Sequence, residues 1–120
     1  MKPNNDNIEK RSHEILMYLN ANKRFCTKEE LQEHIGCGER IVRDCINYLR
    51  NHRKLIVSIS SQKGYRLLTK RDLTDADAEL VKQMWCEIDN RVKELEAIKQ
   101  VCIRYWDYRE EQIYQRDLSV

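Results

Sequence analysis

The chain has 120 residues, of which 41% are hydrophobic and 35% charged, so it can bury one small core and must leave much of its surface as solvated charge. No run of about 18 apolar residues is present, which excludes a membrane-spanning helix. The net charge of +2 is divided unevenly: residues 1–74 carry 15 Lys and Arg against 9 Asp and Glu, whereas residues 75–120 carry 7 against 11.

The opening MKPNNDNIEK lacks the apolar centre of a signal peptide. The five cysteines, Cys26, Cys37, Cys45, Cys86 and Cys102, are odd in number and contain no C-x-x-C pair. Reduced, mostly buried thiols in a cytoplasmic protein are expected, rather than a disulfide framework or a zinc site.

A first helix follows NNDN, any member of which can cap it. Its stripe Ile8, Ser12, Ile15, Leu16 and Leu19 has helical spacing. A second, short helix opens with Thr27-Lys28-Glu29-Glu30, a capping box in which Thr27 and Glu30 satisfy each other's backbone donors. Cys26 and Leu31 flank the box as a hydrophobic staple, and Gly36 suits the left-handed closing residue. After the turn Gly36-Cys37-Gly38, a third helix is predicted from Glu39 to Asn51. Its apolar arc is Ile41, Val42, Cys45, Ile46 and Leu49, and its outer arc is Arg40, Arg43, Asp44, Asn47 and Asn51.

Alternation over Leu55–Ile59 and Tyr65–Thr69 then predicts a β-hairpin whose loop is Ser60–Gly64, with Gly64 supplying a positive φ. Leu55, Val57 and Ile59 are expected on one face, and Tyr65 and Leu67 on a shared face. Two strands alone are marginal in water, so the pair must pack on the helices. Three helices followed by a hairpin is the order of a winged helix, and residues 40–71 hold nine basic residues against Asp44 alone. That segment is where a polyanion would be drawn.

The stretch TKEELQEHIGCGERIVRDCINYLRNHRKLIVSISSQKGYRLLT resembles the winged-helix DNA-binding domain at the N-terminus of the biotin-protein-ligase repressors. KGYRL at Lys63–Leu67 is the most specific element, since in that family it closes the wing. The resemblance covers residues 8–69. More distantly, residues 38–105 are similar to small phage and prophage proteins in which the wing leads straight into a long helix. The resemblance implies that Glu39–Asn51 is the recognition helix and Ser60–Gly64 the wing tip. Gly38 departs from the Ser or Thr cap common in such domains, and no Gly follows the helix, which leaves Asn51 or His52 to turn the chain into the strand. The resemblance does not extend to the ligase's catalytic domain, so none of its chemistry is expected to carry over.

A further helix starts at Thr74-Asp75-Ala76-Asp77 and meets no Gly or Pro before Val120. Val81, Trp85, Ile88, Val92, Leu95, Ile98, Cys102 and Tyr105 recur at close to the 3.5-residue period of a coiled-coil seam. The stripe needs a partner: its copy in a second chain, a fold-back around Tyr108–Leu118, or another protein. Two domains are therefore expected, a winged-helix head over residues 1–72 and a helical oligomerisation tail over 73–120.

Other constellations carry little. His13, His34 and His52 fall on separate elements without ligand spacing to the cysteines. There is no G-x-S-x-G and no phosphate-binding glycine loop. Cys37 is the candidate exposed thiol, and Trp85 and Trp106 are expected as packing residues. No enzyme, cofactor, metal or small-molecule ligand is expected. The sequence points to a dimeric DNA-binding protein of bacterial or phage type, a transcriptional regulator or accessory factor. Arg40, Arg43 and Asn47 would read bases, Thr27 and Lys28 would contact the DNA backbone, and Lys63 and Arg66 would reach out from the wing. The competing expectation is a winged helix that binds protein, for which Asp44 on the outer arc argues.

Overall fold

The structure is a computed structural model that describes residues 3–119. Helix α1 spans Pro3–Ala21, α2 Lys28–Ile35 and α3 Glu39–Asn51, followed by strands β1 (Leu55–Ile59) and β2 (Gln62–Leu68), a 3₁₀ turn (Lys70–Asp72) and helix α4 (Asp75–Ser119). The chain forms two compact units, one up to Met84 and one from Trp85 onward. The division falls later than residue 72 because the first turns of α4 pack on the hairpin.

Local chemistry accounts for the helix ends. Pro3 opens α1, where its missing N–H costs nothing, so NNDN lies inside the helix rather than before it. Thr27 accepts from the Glu30 N–H at 3.1 Å and its own N–H donates to Glu30 Oε1 at 3.2 Å, completing the capping box. Gly36, at φ 67°, closes α2 in the left-handed conformation. Gly38 caps α3 without a side-chain bond. The exit from α3 differs from expectation: neither Asn51 nor His52 but Arg53 takes the left-handed conformation, at φ 64°. The Lys54 N–H then bonds back to the Leu49 carbonyl at 3.0 Å.

Ile15, Leu19, Leu31, Val42, Cys45 and Ile46 pack into the core of the first unit, with buried Ser12 on the α1 stripe beside them. The hairpin is covered on both faces. Ile56, Tyr65 and Leu67 join the helical core, while Val57, Ile59 and Leu68 pack with Phe25, Leu80, Val81 and Met84. Each fully buried aliphatic side chain contributes about 1.5–3 kcal/mol, which is how a two-stranded sheet that is marginal alone is held.

The strands pair antiparallel with Leu55 opposite Leu68 and Ile59 opposite Gln62, and a bulge intervenes between Val57 and Ile59. The turn is therefore Ser60-Ser61, not the five residues Ser60–Gly64. Gly64 has its positive φ, 96°, inside β2. There Tyr65 forms a bridge with Cys26, and a Cβ on Gly64 would overlap the Cys26 carbonyl. The glycine answers a close approach of backbones, not a turn.

From Trp85 to Ser119 the second unit is helix throughout, so the segment around Tyr108–Leu118 continues α4 and does not fold back along it. No helix among the described residues is long and apolar enough to cross a membrane.

Candidate nucleic-acid interface

Burying Val42, Cys45, Ile46 and Leu49 fixes the rotation of α3 about its axis. At about 100° per residue, Arg40, Arg43, Asp44, Asn47 and Asn51 then fall within an arc of about 100° on the other side, and all five are exposed. Asp44 is the only acidic residue of the arc. Arg11, from α1, borders a depression with Arg40 and Asp44 and adds a cation near the start of the arc.

The other predicted contacts divide into two places. Thr27, Lys28 and Lys63 line one groove, with Ser58 and Gln62, between the N-terminus of α2 and the hairpin. The Thr27 hydroxyl oxygen is occupied by the cap, so what α2 offers there is its positive end and Lys28. Lys28 Nζ donates to Glu39 Oε1 at 3.0 Å across the mouth of the α2–α3 turn, with both side chains about half exposed. That bond holds the Glu39 carboxyl below its usual range and the Lys28 ammonium above its own. Lys63 is exposed on the hairpin.

Arg66 lies elsewhere. Its guanidinium meets Asp77 at 3.3 Å, with side chains 26% and 9% exposed, instead of reaching outward from the hairpin. Asp77 also closes a second capping box, accepting from the Thr74 N–H at 3.4 Å while its own N–H donates to Thr74 Oγ1 at 3.1 Å. One carboxylate thus starts α4 and fastens it to β2.

Arg50, counted in the basic segment, is also committed. Its Nε and Nη2 donate to the Ile56 carbonyl at 3.1 and 2.9 Å, and Nη2 reaches Ser58 Oγ at 3.0 Å. Burial pushes its pKa below the usual arginine value. Its position at the edge of the α3 arc left this role unread, because the acceptors belong to the next element.

The thiols sort differently from expectation. Cys26 and Cys45 are buried and burial pushes both thiols up, Cys37 is half-buried, and Cys86 and Cys102 are the exposed pair. Exposed residues Trp85, Ile88, Val92, Leu95, Ile98, Cys102 and Tyr105 all lie in the second unit. Val81 does not belong with them: it is half-buried against the hairpin. His13, His34 and His52 are exposed on separate parts of the chain. Among the described residues no three His, Cys, Asp or Glu side chains converge as metal ligands. Compared with protein-family models, with curated proteins and with solved structures, the chain matches none.

Proposed function

We propose that the first unit is a winged helix that binds double-stranded DNA in a sequence-dependent way, and that α4 pairs two chains through a coiled coil. The reading makes the protein a transcriptional regulator or accessory factor of bacterial or phage type. The exposed arc of α3 carries it. An α-helix fits the major groove, arginine can bond two acceptors on guanine and asparagine can bond adenine, so Arg40, Arg43 and Asn47 would face base edges. Lys28 and the amide end of α2 would meet one stretch of phosphates, and Lys63 on the wing another. Arg66 keeps a supporting role through Asp77.

The test is titration of the full chain against labelled duplex at several salt concentrations. With four to six phosphates neutralised, log K should fall with log salt at a slope of roughly −4 to −5. Binding that ignores salt, or no binding at low salt, overturns the proposal.

Asp44, exposed within the same arc, supports a second reading in which α3 docks on protein. A carboxylate there repels phosphate and suits a basic partner. Reversing Arg40 and Arg43 to Glu separates the two: DNA retention is lost under the first reading, and there is none to lose under the second.

A further inference from the structure

From Trp85 onward, steps alternating strictly between three and four residues reach Ile88, Val92, Leu95, Lys99, Cys102 and Trp106. All are exposed on α4. Trp85, Val92, Lys99 and Trp106 occupy a positions of a heptad, and Ile88, Leu95 and Cys102 occupy d positions. Ile98 and Tyr105, read from the sequence as part of the seam, fall at g, on its flank. Beyond Trp106 the next d residue is Arg109, whose guanidinium lies over the Trp106 ring at 5.1 Å, so the apolar seam ends there. We infer that residues 85–106 pair with the same residues of a second copy as a parallel, in-register, two-stranded coiled coil. The inference rests on the dimeric reading above and adds orientation and register to it.

The flanking residues decide the orientation. In a parallel pair each g residue faces the e residue of the next heptad on the other chain. That sets Arg91 against Glu96 of the second copy, and Ile98 against Ile103 of the second copy. Charge therefore meets opposite charge, and an apolar flank meets an apolar flank, in one and the same register. An antiparallel pair instead sets e residues against e residues. Over 85–110 these are Asp89, Glu96, Ile103 and Glu110, so acid would meet acid. Glu96 already accepts from Gln100 at 3.3 Å, which leaves its carboxylate further acceptor sites for Arg91. Lys99, the single charged a residue of the stretch, favours one register at a cost in stability, with its stem in the seam and its ammonium turned to water.

In this register Cys102 meets its own copy across the axis, where a disulfide tolerates Cα separations of about 4.4–6.8 Å. Cys86, also exposed, sits at b on the outer face, away from the seam. The full-length protein is first weighed in solution and then treated with diamide, which takes two electrons and two protons from a facing thiol pair. The expected result is a mass of twice 14.5 kDa and a rapid cross-link that survives Cys86→Ala and is lost in Cys102→Ala. A dimer that Cys102 does not cross-link overturns the parallel register while leaving dimerisation standing. A monomer overturns both.

A charge exchange provides a measurement independent of the thiols. Arg91→Glu should weaken the dimer about 2- to 30-fold, from two symmetric pairs worth about 0.2–1 kcal/mol each. Adding Glu96→Arg should restore it. The two positions are five apart, outside the i,i+4 reach within one helix, so restoration reports pairing between chains. A folded double variant that stays weak overturns the register.

Discussion

Tyr65 and Cys26 exchange both backbone hydrogen bonds, N–H to carbonyl at 2.8 Å in each direction. The segment before α2 is thereby clasped to β2, and Gly64 is the residue that lets the two backbones approach. Gly64→Ala should destabilise the fold by about 3 kcal/mol or more, because it adds a positive-φ alanine to a backbone overlap that cannot be relieved by turning a side chain. Chemical denaturation measures this. A loss under about 1 kcal/mol would mean that the clasp is dispensable.

Arg53 offers the opposite sign. It sits at φ 64° with an exposed side chain, in a conformation that costs an L-residue roughly 1 kcal/mol and costs glycine almost nothing. Arg53→Gly should therefore stabilise the protein by about 0.5–1 kcal/mol and raise Tm by a few degrees. Calorimetry that finds a lower Tm would show that the arginine stem makes packing contributions larger than the backbone cost.

These two residues also show what could be read from the sequence. The capping box at Thr27–Glu30, the left-handed Gly36 and the bounds of α3 all depend on neighbours within one or two turns, and each is where local pattern places it. Gly64 was legible as a positive-φ residue but not as the partner of Cys26, because that approach joins distant parts of the chain. Val81 has the right spacing for the seam, yet the hairpin claims it. Arg66 looks like an outward cation until Asp77 is brought beside it. Of the candidate interface, the α3 arc was readable because amphipathic periodicity fixes a helix face. The use of Arg50 and Arg66 was not, because their partners are tertiary.

Glu30 links stability to pH. Hydrogen bonds from Arg24, at 2.9 and 2.8 Å, from the Thr27 amide and from the Tyr18 hydroxyl hold its carboxyl down to about 2. Its folded pKa is thus lower than that of an unfolded glutamate, about 4.3. The stabilisation is complete above that unfolded value and disappears as pH falls through about 2. Glu30→Gln should flatten the stability profile in this acid window and leave its shape near neutrality unchanged. A profile of unchanged slope below about pH 5 would assign the acid sensitivity to other carboxylates.

Asp77 should matter more than a surface acid. Asp77→Ala removes a cap and leaves the Arg66 guanidinium, only 26% exposed, without its counter-charge. A loss of about 2 kcal/mol is expected. Asp77→Asn retains a capping oxygen and should recover part of it. Equal losses in both variants would assign the effect to the charge alone.

The division between Lys63 and Arg66 gives the DNA proposal its sharpest internal contrast. The two residues are close in sequence, both basic and both in β2, so a reading from charge alone treats them alike. Lys63 is exposed at the groove beside the α2 N-terminus, whereas Arg66 is tied to Asp77. If Lys63 neutralises one phosphate, Lys63→Ala should reduce the salt slope by about 0.9 and weaken all sequences alike. Arg66→Lys, which keeps a cation for Asp77, should leave the slope unchanged. Arg40→Ala should instead narrow the gap between preferred and random duplex, by about 1–3 kcal/mol for a lost bidentate base contact. Measured across a salt series in folded variants, equal slopes for the Lys63 and Arg66 variants would refute the placement of the hairpin on phosphate. A uniform loss for Arg40→Ala on every sequence would move that residue from base reading to the phosphate backbone.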